Sequence, residues 1–197
     1  MSILRSIKRE NSNIEGLCEF LQKSDFFTAP CSSKFHLGIA GGLCLHSLNV
    51  YFNLCFLNDL KQTNLDEDTL KILGLCHDLG KIGVYEQYIQ NKKVYSDLGS
   101  SSDSIGKFEW ISVPAYKKRD IPFVLLGSHG EMSEYITRCY IPLRLQETSA
   151  IYNHHSGFDA PPSTNLTAIY NQYSECILLH LADMLSCYVD ERYEPSN

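Results

Sequence analysis

The sequence predicts an all-α fold, a single helical bundle over residues 1–197 with a small β-hairpin or loop insertion at about residues 85–123. Three observations lead there. Apolar residues recur at helical spacing on both sides of the insertion, the insertion itself carries Val, Tyr and polar turn residues instead, and no internal repeat or linker divides the chain. With 197 residues, 44% of them hydrophobic and 20% charged, one ordinary globular core is expected.

Residues 13–24 set Ile14, Leu17, Cys18, Phe20 and Leu21 at the spacing of a first helix. A second, residues 42–60, carries Leu43, Leu45, Leu48, Val50, Leu54, Cys55 and Leu57, apolar enough to be well buried, with His46 inside it. Asp66 caps a third, with Glu67 and Asp68 in the first turn where the helix dipole favours anions. That helix runs through Leu70, Ile72, Leu73 and Leu75 into His77-Asp78, and Gly80 and Gly83 mark its end.

The pattern then changes. Val84-Tyr85 and Val94-Tyr95 flank a polar Gln90-Asn91-Lys92-Lys93 turn and pair as a hairpin, while residues 99–106, rich in Ser and Gly, form an exposed loop. Lying between two groups of candidate ligands, the segment is also placed to act as a lid or a substrate-selecting wall. Helical spacing returns with Ser128 as N-cap for residues 129–138, and again over 145–155 before Gly157 stops it and Asp159-Ala160-Pro161-Pro162 turns the chain. A last helix over 168–189 packs Ile169, Cys176, Leu178, Leu179, Leu181 and Leu185, with Asp183 among them.

A formal charge of -6 argues against a broad electrostatic grip on nucleic acid, although Lys117-Lys118-Arg119 can touch phosphates locally. A small anionic substrate fits better than a long duplex. The eight cysteines are scattered without a CxxC spacing and read as small core residues of a reduced, cytoplasmic protein. No stretch has the apolar length of a signal peptide or membrane span, so no membrane association is expected.

The chemistry concentrates at His77-Asp78-Leu79-Gly80-Lys81, where an adjacent imidazole and carboxylate offer nitrogen and oxygen to one divalent metal. His46, His129, the His154-His155 pair and Asp183 are further candidate ligands. Such a set suits Mn, Fe, Co, Ni or Zn rather than Ca, and a carboxylate can bridge two ions. A lone histidine on an apolar helix is more often a core residue, but Asp78 and Asp183 both lie in apolar helical text. A carboxylate buried there needs a metal or an ion pair.

These motifs resemble those of the HD superfamily of metal-dependent phosphohydrolases, named for its His-Asp doublet. The resemblance runs from about residue 35 to 187, within a motif-bearing core of about 35–190. It is carried by Gly41-Gly42-Leu43-Cys44-Leu45-His46-Ser47-Leu48, His77-Asp78-Leu79-Gly80-Lys81, Ser128-His129-Gly130-Glu131, His154-His155-Ser156-Gly157 and Leu181-Ala182-Asp183, in that order. It implies an all-helical domain in which His46, His77, Asp78 and Asp183 hold one ion. His129 and His154 would hold a second, bridged by Asp78. This extended set looks like the family's binuclear branch, which includes HD-GYP cyclic-dinucleotide phosphodiesterases and a di-iron oxygenase that cleaves myo-inositol. The chain has Ser156-Gly157-Phe158-Asp159 where the former group has its Gly-Tyr-Pro element.

Two divalent ions and two aspartates would leave a pocket near about +2, suited to phosphate, with a bridging water acidified for attack on phosphorus. The implied substrate is a phosphomonoester or phosphodiester of a nucleotide or short single-stranded oligonucleotide. Lys81 either aims a cation at a phosphate oxygen or is a solvated helix-end lysine; Glu131 either orients a water or merely favours the helix dipole. His155 is a further ligand or a donor to substrate. Core packing is expected of His36 and His180, and loop anchoring of Trp110. Two other functions use the same residues: O2-dependent oxidation at a di-iron centre, and a non-catalytic nucleotide sensor.

Overall fold

The computed structural model describes residues 1–33, 36–120, 127–155 and 164–192. Eight α-helices are present among them: α1 Ser2–Arg5, α2 Ile14–Lys23, α3 Gly42–Lys61, α4 Glu67–Cys76, α5 His129–Arg138, α6 Leu145–Tyr152, α7 Leu166–Gln172 and α8 Ser174–Leu185. A 3-10 turn, Leu79–Lys81, follows α4, and a π-helical turn, Ser186–Asp190, follows α8. The expected stop at Gly157, the turn at Asp159-Ala160-Pro161-Pro162 and residues 121–123 of the insertion lie outside the described residues.

Short polar side chains start four of the helices by accepting otherwise orphaned backbone N–H groups. Asn13 accepts from Gly16 at 2.9 Å, Asp66 from Thr69 at 2.9 Å, Ser128 from Glu131 at 3.2 Å and Asn165 from Ala168 at 3.0 Å. Helix α3 is the central element, packed against α4 and α8, while α6 packs on α8 and α5 on α6. Leu17, Leu21, Leu43, Leu54, Ile72, Leu73, Leu79, Ile141, Ile151 and Leu179 fill the core without exposure. All eight cysteines are free thiols, four of them buried. No helix is long and apolar enough to cross a membrane, among the described residues.

Four details depart from the sequence expectation. The insertion is not a short hairpin turning at residues 90–93: Tyr85–Tyr95 forms one continuous strand, β1, and Lys107–Lys118 forms its antiparallel partner, β3. The register runs from Tyr85 opposite Lys118 to Tyr95 opposite Phe108, and Ser101–Ser102, β2, pairs with Phe108 and Lys107 beyond the turn. The polar run misled because this ribbon is exposed on both faces along most of its length, so no apolar alternation marks it. Trp110 does not anchor it to the helices; at 59% exposure it packs within the ribbon against Phe108 and under Lys93.

Helix α3 is also less buried than its composition suggests. Leu45, Phe52, Phe56 and Leu60 are 44–59% exposed on its outer face, while His46, Val50 and Leu54 point inward. The expected final helix begins at Leu166 and breaks at Tyr173, because the apolar run that enters the core starts only at Cys176 and α7 buries no residue.

Candidate metal centre

Five segments bring the candidate ligands together at one end of the bundle. His46 projects from the buried face of α3, His77 is the C-cap of α4, and Asp78 opens the 3-10 turn. His129 is the first residue of α5, His154 and His155 follow the end of α6, and Asp183 lies in α8. His46, His77, Asp78 and His154 are each at most 1% exposed, and Asp183 is 6% exposed.

Two glycines allow this convergence. A Cβ on Gly80 would lie 2.2 Å from the carbonyl oxygen of His129, and one on Gly130 would lie 2.7 Å from that of Tyr152. Only a residue without a side chain permits such an approach of backbone to backbone. Ser133 pins the contact, since its hydroxyl accepts from the Gly80 N–H at 2.8 Å and donates to the His129 carbonyl at 2.7 Å. The His-Asp segment and the start of α5 are therefore held by hydrogen bonds that use no ligand side chain.

The Asp78 carboxylate divides the histidines into two groups. Its Oδ2 lies 3.5 Å from the Nε2 atoms of both His46 and His77, and the Nε2 of His46 lies 3.2 Å from Oδ1 of Asp183. Its Oδ1 lies 3.5 Å from the Nε2 atoms of His129 and His154. Within the groups, the Nε2 atoms of His46 and His77 are 3.3 Å apart and those of His129 and His154 are 3.2 Å apart. His46, His77 and Asp183 form one convergent ligand set; Asp78, His129, His154 and His155 form another.

The protonation of these rings is set from behind. Nδ1 of His77 lies 3.0 Å from the Gly74 carbonyl and Nδ1 of His154 lies 2.7 Å from that of Ile151. A carbonyl only accepts, so both rings carry their proton on Nδ1 and turn the Nε2 lone pair inward. Burial lowers His77 to a pKa of about 3 and His155 to about 4, which keeps them neutral and able to ligate. Burial would also lower His46, but hydrogen bonds to Asp183 and Glu191 outweigh it and push the ring up to about 9. Burial likewise opposes ionisation of Asp78, yet Lys81 and the histidines hold it well below the usual carboxylate range.

A divalent cation fits this arrangement. Asp78 Oδ1 is buried and accepts no hydrogen bond among the described residues, and the Nε2 atoms of His129 and His154 face it at 3.5 Å. Nitrogen and carboxylate oxygen suit the divalent transition metals, the class expected from the sequence.

Lys81 is not a solvated helix-end lysine. Its ammonium lies 2.6 Å from Asp78 Oδ2 and donates to the Cys31 sulfur at 3.6 Å, with only 12% of the side chain exposed. With His155, His180, Asp183, His36 and Tyr188 it lines a cavity of about 290 Å³ beside the ligands. His155 reaches Asp183 at 3.8 Å and stacks edge-on against His129 and His154. Glu131 stands apart: its carboxylate folds back toward Gly127 in the first turn of α5.

A family model for the HD domain matches residues 45–187, which is most of the chain. The chain belongs to the HD domain family. No curated protein matches it significantly, and neither does any solved structure. HD domains are helical and are generally found in metal-dependent phosphohydrolases, in keeping with the bundle and the clustered His and Asp side chains.

The HD match contains every candidate ligand and neither of two residues that contact them from outside, His36 and Glu191. Glu191 accepts from His46 Nδ1 at 3.0 Å, from His36 Nδ1 at 2.7 Å and from Asn49 at 2.8 Å. His36 is thus half in the polar cluster and half on the cavity wall rather than a packing residue. His180 lines the same cavity and donates to the His154 carbonyl at 2.8 Å. Sequence reasoning missed Glu191 because it sits in a short polar stretch, Asp190-Glu191-Arg192, beyond the last apolar helix.

Proposed function

We propose that this chain is a two-ion phosphohydrolase that cleaves a phosphomonoester or phosphodiester bond of a nucleotide or short oligonucleotide. The observation that carries the reading is the divided carboxylate of Asp78, one oxygen toward His46 and His77 and the other toward His129 and His154. In this assignment His46, His77, Asp183 and Asp78 hold one ion, and His129, His154 and Asp78 hold the second. Bound ions of this kind supply an acidified water as nucleophile near neutral pH and neutralise charge developing on phosphate oxygens.

The protein's own groups support a phosphate beside those ions. Asp78, Asp183 and Glu191 bring three negative charges and Lys81 one positive, so two divalent ions would leave a balance of about +2. Lys81 presents a permanent ammonium on the cavity wall, where the imidazoles of His155 and His180 also face. His155 and Lys81 are accordingly the assigned substrate contacts, and Asp78 is the residue on which the reaction depends. Glu131 has no step in this scheme. A second groove of about 520 Å³ between the ribbon and the loop before α3 is lined by Lys92, Tyr116 and Arg192, which offer cations and an aromatic ring to the rest of a longer substrate.

Protein loaded with Mn, Co or Ni is expected to hydrolyse a generic phosphomonoester or phosphodiester, and Asp78→Ala to abolish that activity. Turnover undiminished in Asp78→Ala would contradict the proposal.

A further inference from the structure

The turn that follows α8 supports two candidate ligands at once. Glu191 is buried, with 1% of its side chain exposed, and its oxygens lie 3.0 and 3.1 Å from Nδ1 of His46. One helical turn earlier, the sulfur of Cys187 lies 3.3 Å from Asp183 Oδ1 and 3.3 Å from Nε2 of His36, whose other nitrogen meets Glu191. The contacts close a ring: His46, Glu191, His36, Cys187, Asp183 and back to His46. His36 and Glu191 both lie outside the span matched by the family model.

An ionised carboxylate accepts and cannot donate, so a ring nitrogen facing it must carry the hydrogen. With that hydrogen on Nδ1, the lone pair of a neutral His46 stands on Nε2, which faces Asp183 and Asp78. We infer that Glu191 is a positioning residue for the ion on the His46 side, holding His46 in the orientation and tautomer that bind metal. The inference rests on the two-ion reading above. A carboxylate behind a ligating imidazole also raises the basicity of the nitrogen that binds, and loss of such a partner typically weakens metal affinity 10–100-fold.

Glu191→Gln tests this with little change of shape. A glutamine offers one acceptor oxygen and an amide NH2 to three donors, His36, His46 and Asn49. An amide hydrogen turned toward His46 favours the opposite tautomer, with the proton on Nε2. Zinc titrated against a competing chelator should show two ions per wild-type chain. In Glu191→Gln one should remain as tight as in wild type and the other weaken about 10–100-fold, in metal-free protein that still unfolds cooperatively. Two ions held as tightly as in wild type would overturn the role of Glu191 alone, whereas a wild-type chain that takes up no zinc would overturn the two-ion reading itself. Should the variant not fold, nitrogen-15 histidine spectra of the zinc-loaded wild type decide: a proton on Nδ1 of His46 is expected, and a proton on Nε2 would overturn the inference.

Discussion

Lys81 holds the Oδ2 oxygen of Asp78 at 2.6 Å, while the Oδ1 oxygen of the same carboxylate has no hydrogen-bond partner among the described residues. The three-residue spacing across the 3-10 turn puts the ammonium on the side of His46 and His77 and leaves the other side to His129 and His154. A cation thus already sits at the edge of a site built to attract cations, on the wall of the cavity where a phosphate would lie.

Lys81→Met should therefore separate catalysis from metal binding. Turnover of a phosphoester is expected to fall about 100-fold, the typical effect of removing one group that stabilises developing charge. Metal affinity should hold or rise, since a competing positive charge has gone. Steady-state kinetics beside a metal titration check both, and a parallel loss of affinity and turnover would make Lys81 structural.

Gly80→Ala should disturb the site without touching a ligand. Its new Cβ would stand 2.2 Å from the His129 carbonyl oxygen, a backbone atom that cannot swing away, so α5 must move from the His-Asp turn. Overpacking of this kind costs typically about 1–3 kcal/mol. The expected result is a lower melting temperature together with preferential loss of the ion on the His129 side, read by thermal unfolding and metal analysis.

The His-Asp doublet, the order of the other ligands and the helix caps Asp66 and Ser128 were legible because each is local: a cap needs one side chain and the next turn, and a ligand motif needs a few residues of spacing. The bracing by Glu191 was not, because its burial depends on the π-helical turn folding back against α3, a contact across 145 residues. The length of the ribbon was hidden for the opposite reason. Its strands bury little beyond Tyr85 and Phe108, so burial left no period in the sequence to read.

Away from the centre, stability should depend on Glu147. This buried carboxylate accepts from Arg9 at 2.7 Å, from the Thr69 hydroxyl at 2.7 Å and from the Arg144 N–H at 2.7 Å, tying the N-terminal segment and α4 to α6. Burial opposes its charge, but the Arg9, Arg144 and Thr69 hydrogen bonds outweigh it and hold the pKa below the ordinary 4.5. A depressed carboxylate contributes its stability in full above about pH 4.5 and loses it as pH falls through the lower folded value. Glu147→Gln is expected to be about 3 kcal/mol less stable at pH 7. The gap from wild type should narrow below pH 4.5; denaturant titrations of the two proteins across pH 7 to 3 measure it.

The groove beside the ribbon offers a test of substrate length. Lys92→Ala combined with Arg192→Ala removes two exposed cations from its lining and none from the metal centre. The KM for a short single-stranded oligonucleotide should rise several-fold, with a weaker salt dependence, while kinetics on a mononucleotide stay unchanged. Equal effects on both substrates would remove the groove from the substrate path.

The division of histidines by Asp78 is tested most directly by counting metal. Metal analysis of wild type is expected to give two divalent ions per chain, and His129→Ala combined with His154→Ala to give one, with His46, His77, Asp78 and Asp183 still occupied. One ion in wild type, unchanged when His129 and His154 are removed, would contradict the two-ion account.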